Sequence, residues 1–415
     1  MIISKRTYTL EEARALPRWR RPDTLLYVMA AAMPIAFATW SALLNNFVIE
    51  AAGFTGKEIG WLHSIREIPG LLAIGVIVLL WAMREQVLVL ASLFLLGVAT
   101  AITAAFPSFG GLMIVTFLSS VGFHYYETVN QSLQLQWIDK SRAPQTLGRI
   151  VAVGSGASLA AYLLLMLTWK TLDLSYMTVY AISGGTTALI AIACALLWPS
   201  FQSPEPQLKT FVLRKRYWLY YAMQMMAGAR RQIFVVFAAF MMVEKYGFEV
   251  HEITGLFVIN FFVNMLAAPL IGRAVGRFGE QAALVFEYSG LILVFLAYGG
   301  LYIYNWPVWV AGALYVLDHL FFAMAFAQRT YFQKIADAGD IAPTAAVAFT
   351  INHIAAVFLP ALLGYLWLTS PVSVFGLAAG MAFISLLLAL LIPRHPEKGN
   401  ETRVTMALER IGLRA

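Results

Sequence analysis

His63, Arg66 and Glu67 stand at spacings of three and four, so one helical turn brings the imidazole within reach of both charged neighbours. A histidine beside a carboxylate can hold and release a proton near neutral pH. An arginine that pairs with that carboxylate in only one conformation would couple protonation to movement. His124, Glu127, Gln131 and Gln134 repeat at three, four and three, a polar stripe on an otherwise apolar segment, with Tyr125, Tyr126 and Asn130 beside it. Arg230 and Arg231 are adjacent, and successive helical residues point about 100° apart, so the two address different surroundings. Arg231 shares a face with Gln224 and is expected to face a central cavity; Arg230 is expected to pair across the interface between the two bundles. The planar donor fork of arginine suits carboxylates and phosphates, which points to an anionic solute. Asp318-His319 would form a second proton site, with Asn352-His353 at a comparable depth.

Each of these groups also has a plain structural reading. Arg66, Arg230 and Arg231 are matched in number by Glu67, Glu127 and Asp318, and three internal ion pairs would account for them without any solute. Four of the six histidines, His63, His124, His319 and His353, raise the alternative of metal transport. No two of them sit at ligand spacing on one segment, so the sequence assigns no metal site. Trp40 lies deep enough to touch a solute, while Asn45 and Asn46 either bind one or cap a helix end. The single cysteine, Cys194, excludes a disulfide framework and a CxxC pair, and its apolar surroundings make it a small packing residue. GxxxxGK[ST], GxGxxG after a strand and the GxSxG elbow are all missing, so neither an enzyme nor a cofactor is expected.

Only membrane-spanning helices can position such residues. The 415 residues are 60% hydrophobic and 12% charged, about half the charge of a soluble domain. The formal charge is +7, but the basic residues are scattered between long apolar runs, which excludes a nucleic-acid-binding face. A spanning helix needs about 20 mainly apolar residues. Twelve such runs are predicted, at 24–49, 57–82, 87–106, 110–135, 145–169, 175–198, 217–243, 251–273, 281–303, 307–332, 343–368 and 372–393. The first is too long for a signal-peptide core and is expected to stay as a span. Arg66 and Glu67 then lie roughly 14 Å below the outer face and the Arg230-Arg231 pair roughly 20 Å from the inner one. At mid-depth an uncompensated charge costs about 2.5 to 3.5 kcal/mol.

Lys57, Lys170 and Lys245 fall on one side of this arrangement, and every other loop or tail Lys and Arg on the opposite side. The bias places both tails in the cytoplasm. The predicted organisation is a tail at 1–23, bundles at 24–198 and 217–393 around a loop at 199–216, and a tail at 394–415. Thr9-x-x-Glu12 reads as a capping box, and Val404, Leu408 and Ile411 form an apolar stripe, so both tails are expected along the inner membrane surface.

The two bundles echo each other. Gly53-Phe54-x-x-x-Glu58-Ile59 returns as Gly247-Phe248-x-x-x-Glu252-Ile253, and Glu85-Gln86 as Glu280-Gln281. Gln136 before Ala143-Pro144 returns as Gln333 before Ala342-Pro343. Such spacing predicts six helices plus six. With these features the chain resembles the major facilitator superfamily over essentially its full length. The 8–9 loop, Gly272-Arg273-Ala274-Val275-Gly276-Arg277-Phe278-Gly279, is similar to that superfamily's cytoplasmic loop signature, with Gly276 in the acidic place and Glu280 in the last basic one. The 2–3 loop around Arg84 has largely lost it. The resemblance implies an all-α membrane protein of two pseudo-symmetric six-helix bundles, alternating access to a central cavity, and a gating role for Gly272, Arg273 and Arg277.

The combined expectation is a secondary transporter in a bacterial inner membrane, monomeric, moving a small organic anion with proton coupling. Arg66, Arg231, Arg230, Tyr125, Trp40 and Asn352 would bind solute, and His63, Glu67, His124, Glu127, Asp318, His319 and His353 would carry protons. The alternatives are efflux of amphipathic drugs or lipids, suggested by the 14% aromatic content and sixteen Met, and a non-transporting sensor or assembly factor on the same scaffold.

Overall fold

The computed structural model describes residues 6–72, 75–138, 143–202, 213–337 and 340–404. Leu408 and Ile411 lie outside these, as do the side chains of Ala143-Pro144 and Ala342-Pro343. The tail begins with strand β1 (Thr7–Tyr8) and helix α1 (Leu10–Arg14), and the predicted capping box is made: Thr9 N donates to Glu12 Oε2 at 2.9 Å and Glu12 N to Thr9 Oγ1 at 3.2 Å. The spans follow as α2 (Pro22–Glu50), α3 (Gly56–Leu71) with α4 (Gly75–Ala82), α5 (Glu85–Ala101), α6 (Phe109–Trp137), α7 (Ala143–Thr168) and α8 (Tyr176–Leu197). After strand β2 (Ser200–Phe201) come α9 (Trp218–Gln232), a π-helical stretch at Ile233–Ala238, α10 (Ala239–Glu244), α11 (Val250–Phe278) and α12 (Glu280–Ile303). The chain ends in α13 (Val308–Phe322) with α14 (Phe326–Ile335), α15 (Ile341–Thr369) and α16 (Pro371–Leu390).

Every predicted span thus falls on one helix or on an interrupted run. Among the described residues, nine stretches are long and apolar enough to cross a membrane, and α5 is a shorter apolar helix. The α3–α4 segment and α6, which carry His63, Arg66, Glu67 and the His124 to Gln134 stripe, are not among the nine.

By contact the chain divides into two compact units. The first holds Met1–Gly53, Ile65–Leu208 and Glu249–Gly255, and the second Phe54–Ser64, Lys209–Phe248 and Leu256–Ala415. In the first, Leu25, Met29, Leu93, Leu96, Tyr126, Val129 and Cys194 form a buried core. The backbones of α5 and α8 touch: a Cβ on Gly97 would sit 2.5 Å from Ala188 N, and one on Gly184 would collide with Gly97 O. In the second, Leu284, Leu291 and Phe295 of α12 and Phe375 and Ala378 of α16 are fully buried, and α12 packs along α16.

The sequence repeat has a physical basis at each position. Gly53 and Gly247 both take positive φ, 64° and 67°, with nothing within 4 Å of a notional Cβ, so backbone conformation requires them. Five residues on, Glu58 and Glu252 do the same work: Thr55 N donates to Glu58 Oε2 at 3.0 Å and Glu249 N to Glu252 Oε2 at 2.9 Å. Each carboxylate caps the helix it opens. At the opposite helix ends, Gln86 donates to Pro199 O (2.8 Å) and accepts from Phe201 N (2.9 Å), while Gln281 donates to Leu390 O (3.2 Å) and accepts from Arg403 Nη2 (3.1 Å). Both glutamines fasten the chain as it leaves the last helix of a repeat. Their neighbours Glu85 and Glu280 accept from Gln136 Nε2 (3.0 Å) and Lys334 Nζ (2.7 Å).

One end of the second unit is an ion network. Arg214 forks onto both oxygens of Asp340, Tyr217 Oη donates to Asp340 at 2.9 Å, Arg216 meets Asp337, and Lys398 reaches Asp337 Oδ1 at 3.2 Å. The hydrogen bonds from Arg214 hold the Asp340 carboxyl below its ordinary value, and those from Lys398 do so for Asp337.

Candidate functional site

In the first unit the polar residues of α2, α3 and α6 converge. Arg66 Nη2 stands 2.5 Å from Glu67 Oε1, with both side chains largely buried. Its guanidinium carbon is 5.7 Å from the Trp40 ring centroid, and its own carbonyl accepts from Ser120 Oγ. Ser120 Oγ also lies 2.9 Å from His124 Nδ1. A ring nitrogen of His124 comes within 4.8 Å of a Glu67 carboxylate oxygen. Four predicted site residues, Trp40, Arg66, Glu67 and His124, therefore form one cluster. The histidine beside Glu67 in this unit is His124; His63, buried on the same helix as Glu67, groups with the second unit. Tyr125 Oη lies 3.5 Å from Leu72 O, and Glu127 accepts from Gln131 one turn further along the predicted stripe.

The second unit holds a chain of amides and aromatics. Asn352 Nδ2 donates to Gln224 O (3.1 Å), Gln224 Nε2 to Gln328 Oε1 (3.0 Å), and Gln328 Nε2 to Tyr288 Oη (2.7 Å). Gly228 is what lets α9 approach α15 there, since a Cβ would collide with Asn352 O. The Tyr288 ring carries Arg230, whose guanidinium carbon is 4.3 Å from the centroid. Arg230 is buried and Arg231 half-buried, in keeping with the different surroundings their angular offset requires. A π-helical stretch begins two residues after Arg231, a local widening of the helix that often marks functional sites.

Three of these histidines, His124 and His353 buried and His319 half-buried, share one local geometry. The Nδ1 atoms of His124, His319 and His353 lie 3.0, 2.8 and 2.8 Å from the carbonyl oxygens of Ser120, Tyr315 and Phe349, each four residues earlier. A carbonyl can only accept, so on α6, α13 and α15 the Nδ1 atom carries a hydrogen and Nε2 is the nitrogen left to exchange a proton.

The count of three arginines against three acids needs correction. Glu287, inside the predicted span 281–303, is completely buried on α12, and Arg230 Nη1 lies 3.9 Å from its Oε1. It is a fourth acid, and its position inside an apolar run was the signal available in the sequence. Gly272, Arg273 and Arg277, expected to gate, lie on α11, which runs on to Phe278, so the predicted 8–9 loop is mostly helix and turns only at Gly279, φ 84°. Arg277 sits over the Phe278 ring at 5.4 Å.

These helices match known architecture. The nucleoside transporter NupG superposes with a TM-score of 0.70 at 15% identity, covering 89% of this chain and 98% of that one. A point mutant of NupG gives 0.73 at 14%, covering 89% and 99%. A bacterial homolog of the human lysosomal transporter Spinster, inward-facing and occupied, gives 0.65 at 13%, covering 89% and 95%. At such identities the likeness concerns the fold alone. No curated protein matches the chain. The model of the Major Facilitator Superfamily matches residues 25–360, and this multi-pass integral membrane protein belongs to that superfamily.

Proposed function

We propose that the protein is a secondary transporter that moves a small organic anion by alternating access, with protons as the coupling ion. The observation that carries this reading is the Arg66–Glu67 pair at 2.5 Å with His124 beside it. A guanidinium held by a carboxylate is an anion site with its place taken. Protonation of Glu67, assisted by the basic Nε2 of His124, would free the donor fork for a solute carboxylate or phosphate. In the first unit Trp40 would cover the guanidinium face and Tyr125 would add a polar group. In the second unit, taken by itself, Arg231 and Asn352 would offer solute contacts, Asp318, His319 and His353 would supply further proton acceptors, and Arg230, buried against Glu287, would serve that unit's own charge balance. The distribution of Lys and Arg supports placing both termini in the cytoplasm, and a bacterial inner membrane is the membrane proposed.

A second reading is a neutral polar solute such as a nucleoside. It draws support from the amide chain Asn352–Gln224–Gln328, which suits hydrogen-bonding groups without charge. A thermal-shift screen of the detergent-purified protein separates the two. A solute at 100 times its Kd adds about 2.7 kcal/mol to the folded state. Stabilisation by organic anions and its loss in Arg66→Gln supports the first reading; stabilisation by nucleosides alone overturns it.

A further inference from the structure

Glu287 is a buried acid that the proposed transport mechanism does not use, and Asp318 enters that mechanism only as a further proton acceptor. They reach the interior of the second unit from α12 and α13, and Arg230 reaches it from α9; all three residues are at most 3% exposed. Neither oxygen of either carboxyl group takes a hydrogen bond. Arg230 lies 3.9 Å from Glu287, donates from Nε to Met226 O at 3.3 Å, and covers the Tyr288 ring; Asp318 is followed by His319, whose ring packs on Phe234 one helical turn beyond Arg230.

Charge decides what this arrangement can hold. A guanidinium keeps its proton, so Arg230 contributes one positive charge. Two ionised carboxylates would leave the interior with one excess negative charge and no hydrogen bonds to spread it. Burying such a group costs several kcal/mol more than burying its neutral acid. Among the described residues, the other titratable side chains beside these three are Tyr288, Tyr298, Tyr315 and His319. His319 packs edge-on to Phe234 at 4.3 Å and donates from Nδ1 to Tyr315 O. The tyrosines are neutral, and none of the four brings a second permanent cation.

We propose that Glu287 and Asp318 hold one dissociable proton between them, balanced against the single charge of Arg230. Uptake converts one carboxylate to a carboxylic acid and leaves the other paired with the guanidinium. Release restores the excess negative charge, which only a shift of Arg230 or a newly arrived cation can offset. The second unit thus has a proton site of its own, formed by α9, α12 and α13. Its use in coupling rests on the transport reading; its existence does not.

Infrared spectroscopy of the full-length purified protein tests this without any solute. Wild type at neutral pH should show the carbonyl stretch of a buried protonated carboxyl group. Glu287→Gln and Asp318→Asn should each abolish that band component, because the acid that remains then pairs with Arg230 and ionises. Arg230→Gln should double it, since both acids must then be neutral. A wild type without the band, a band of full amplitude in both acid variants, or an unchanged band in Arg230→Gln would overturn the proposal. Should an amide variant not fold, Glu287→Asp and Asp318→Glu keep the acid and must move the band; an unmoved band in both overturns it equally. Anion flux can fail altogether and leave these spectra as predicted.

Discussion

Replacing either member of the Arg66–Glu67 pair should cost stability, but only one of the two losses should depend on pH. At 2.5 Å and an effective dielectric of about 20, the attraction is about 7 kcal/mol before desolvation is charged against it. Removing one partner of a buried pair costs about 3 to 5 kcal/mol, because the other charge is left without compensation. The survivors differ chemically. In Arg66→Gln the carboxylate of Glu67 can escape by taking a proton, so the loss should shrink as pH falls, by up to about 1.4 kcal/mol per unit. In Glu67→Gln the guanidinium of Arg66 stays charged at every accessible pH, so the loss should be flat. Apparent stability of the detergent-purified variants, followed by thermal or denaturant unfolding from about pH 8 to about pH 5, measures both slopes. Parallel profiles, or losses below about 1 kcal/mol as for a solvent-exposed pair, would refute the burial and pairing on which the proposed mechanism depends.

Other consequences follow from the packing and the inner ends. Gly184→Leu should lower stability by about 1 to 3 kcal/mol, as overpacking does, because its side chain would enter the α5 backbone at Gly97 and Ala101; a wild-type melting temperature would contradict the close approach. Gln86→Ala strips partners from Pro199 O and Phe201 N and should cost about 1 to 3 kcal/mol, seen as faster amide exchange at Phe201. The Asp340 carboxyl lies below its ordinary value of 3.8 through the Arg214 hydrogen bonds. Its contribution is therefore fully present above pH 3.8 and fades as pH falls through the lower folded value. Asp340→Asn should then be more readily cleaved by protease than wild type at neutral pH, with amide exchange near Asp337 converging between the two only under strongly acid conditions.

The scaffold was legible because the bilayer imposes a length and an apolarity on each helix, and because duplication leaves matching glycines and glutamates where the backbone demands them. Gly53 and Gly247 show this well: positive φ admits few other residues. The site was legible only in part. Helical spacing placed His63 against Glu67, but spacing along one helix says nothing of which neighbouring helix arrives, and in the first unit α6 brings His124. Glu287 was visible as a carboxylate inside an apolar run, yet only packing reveals that it meets Arg230. The amide chain through Gln224, Gln328 and Asn352 joins residues more than 100 positions apart, beyond the reach of any local pattern.

The most direct test is flux in proteoliposomes holding the full-length protein, with a pH gradient imposed and a panel of small organic anions offered. The proposed mechanism predicts that the gradient drives accumulation of at least one anion, and that Glu67→Gln abolishes the response to the gradient. Anion flux indifferent to the gradient, with Glu67→Gln transporting as wild type does, would contradict it.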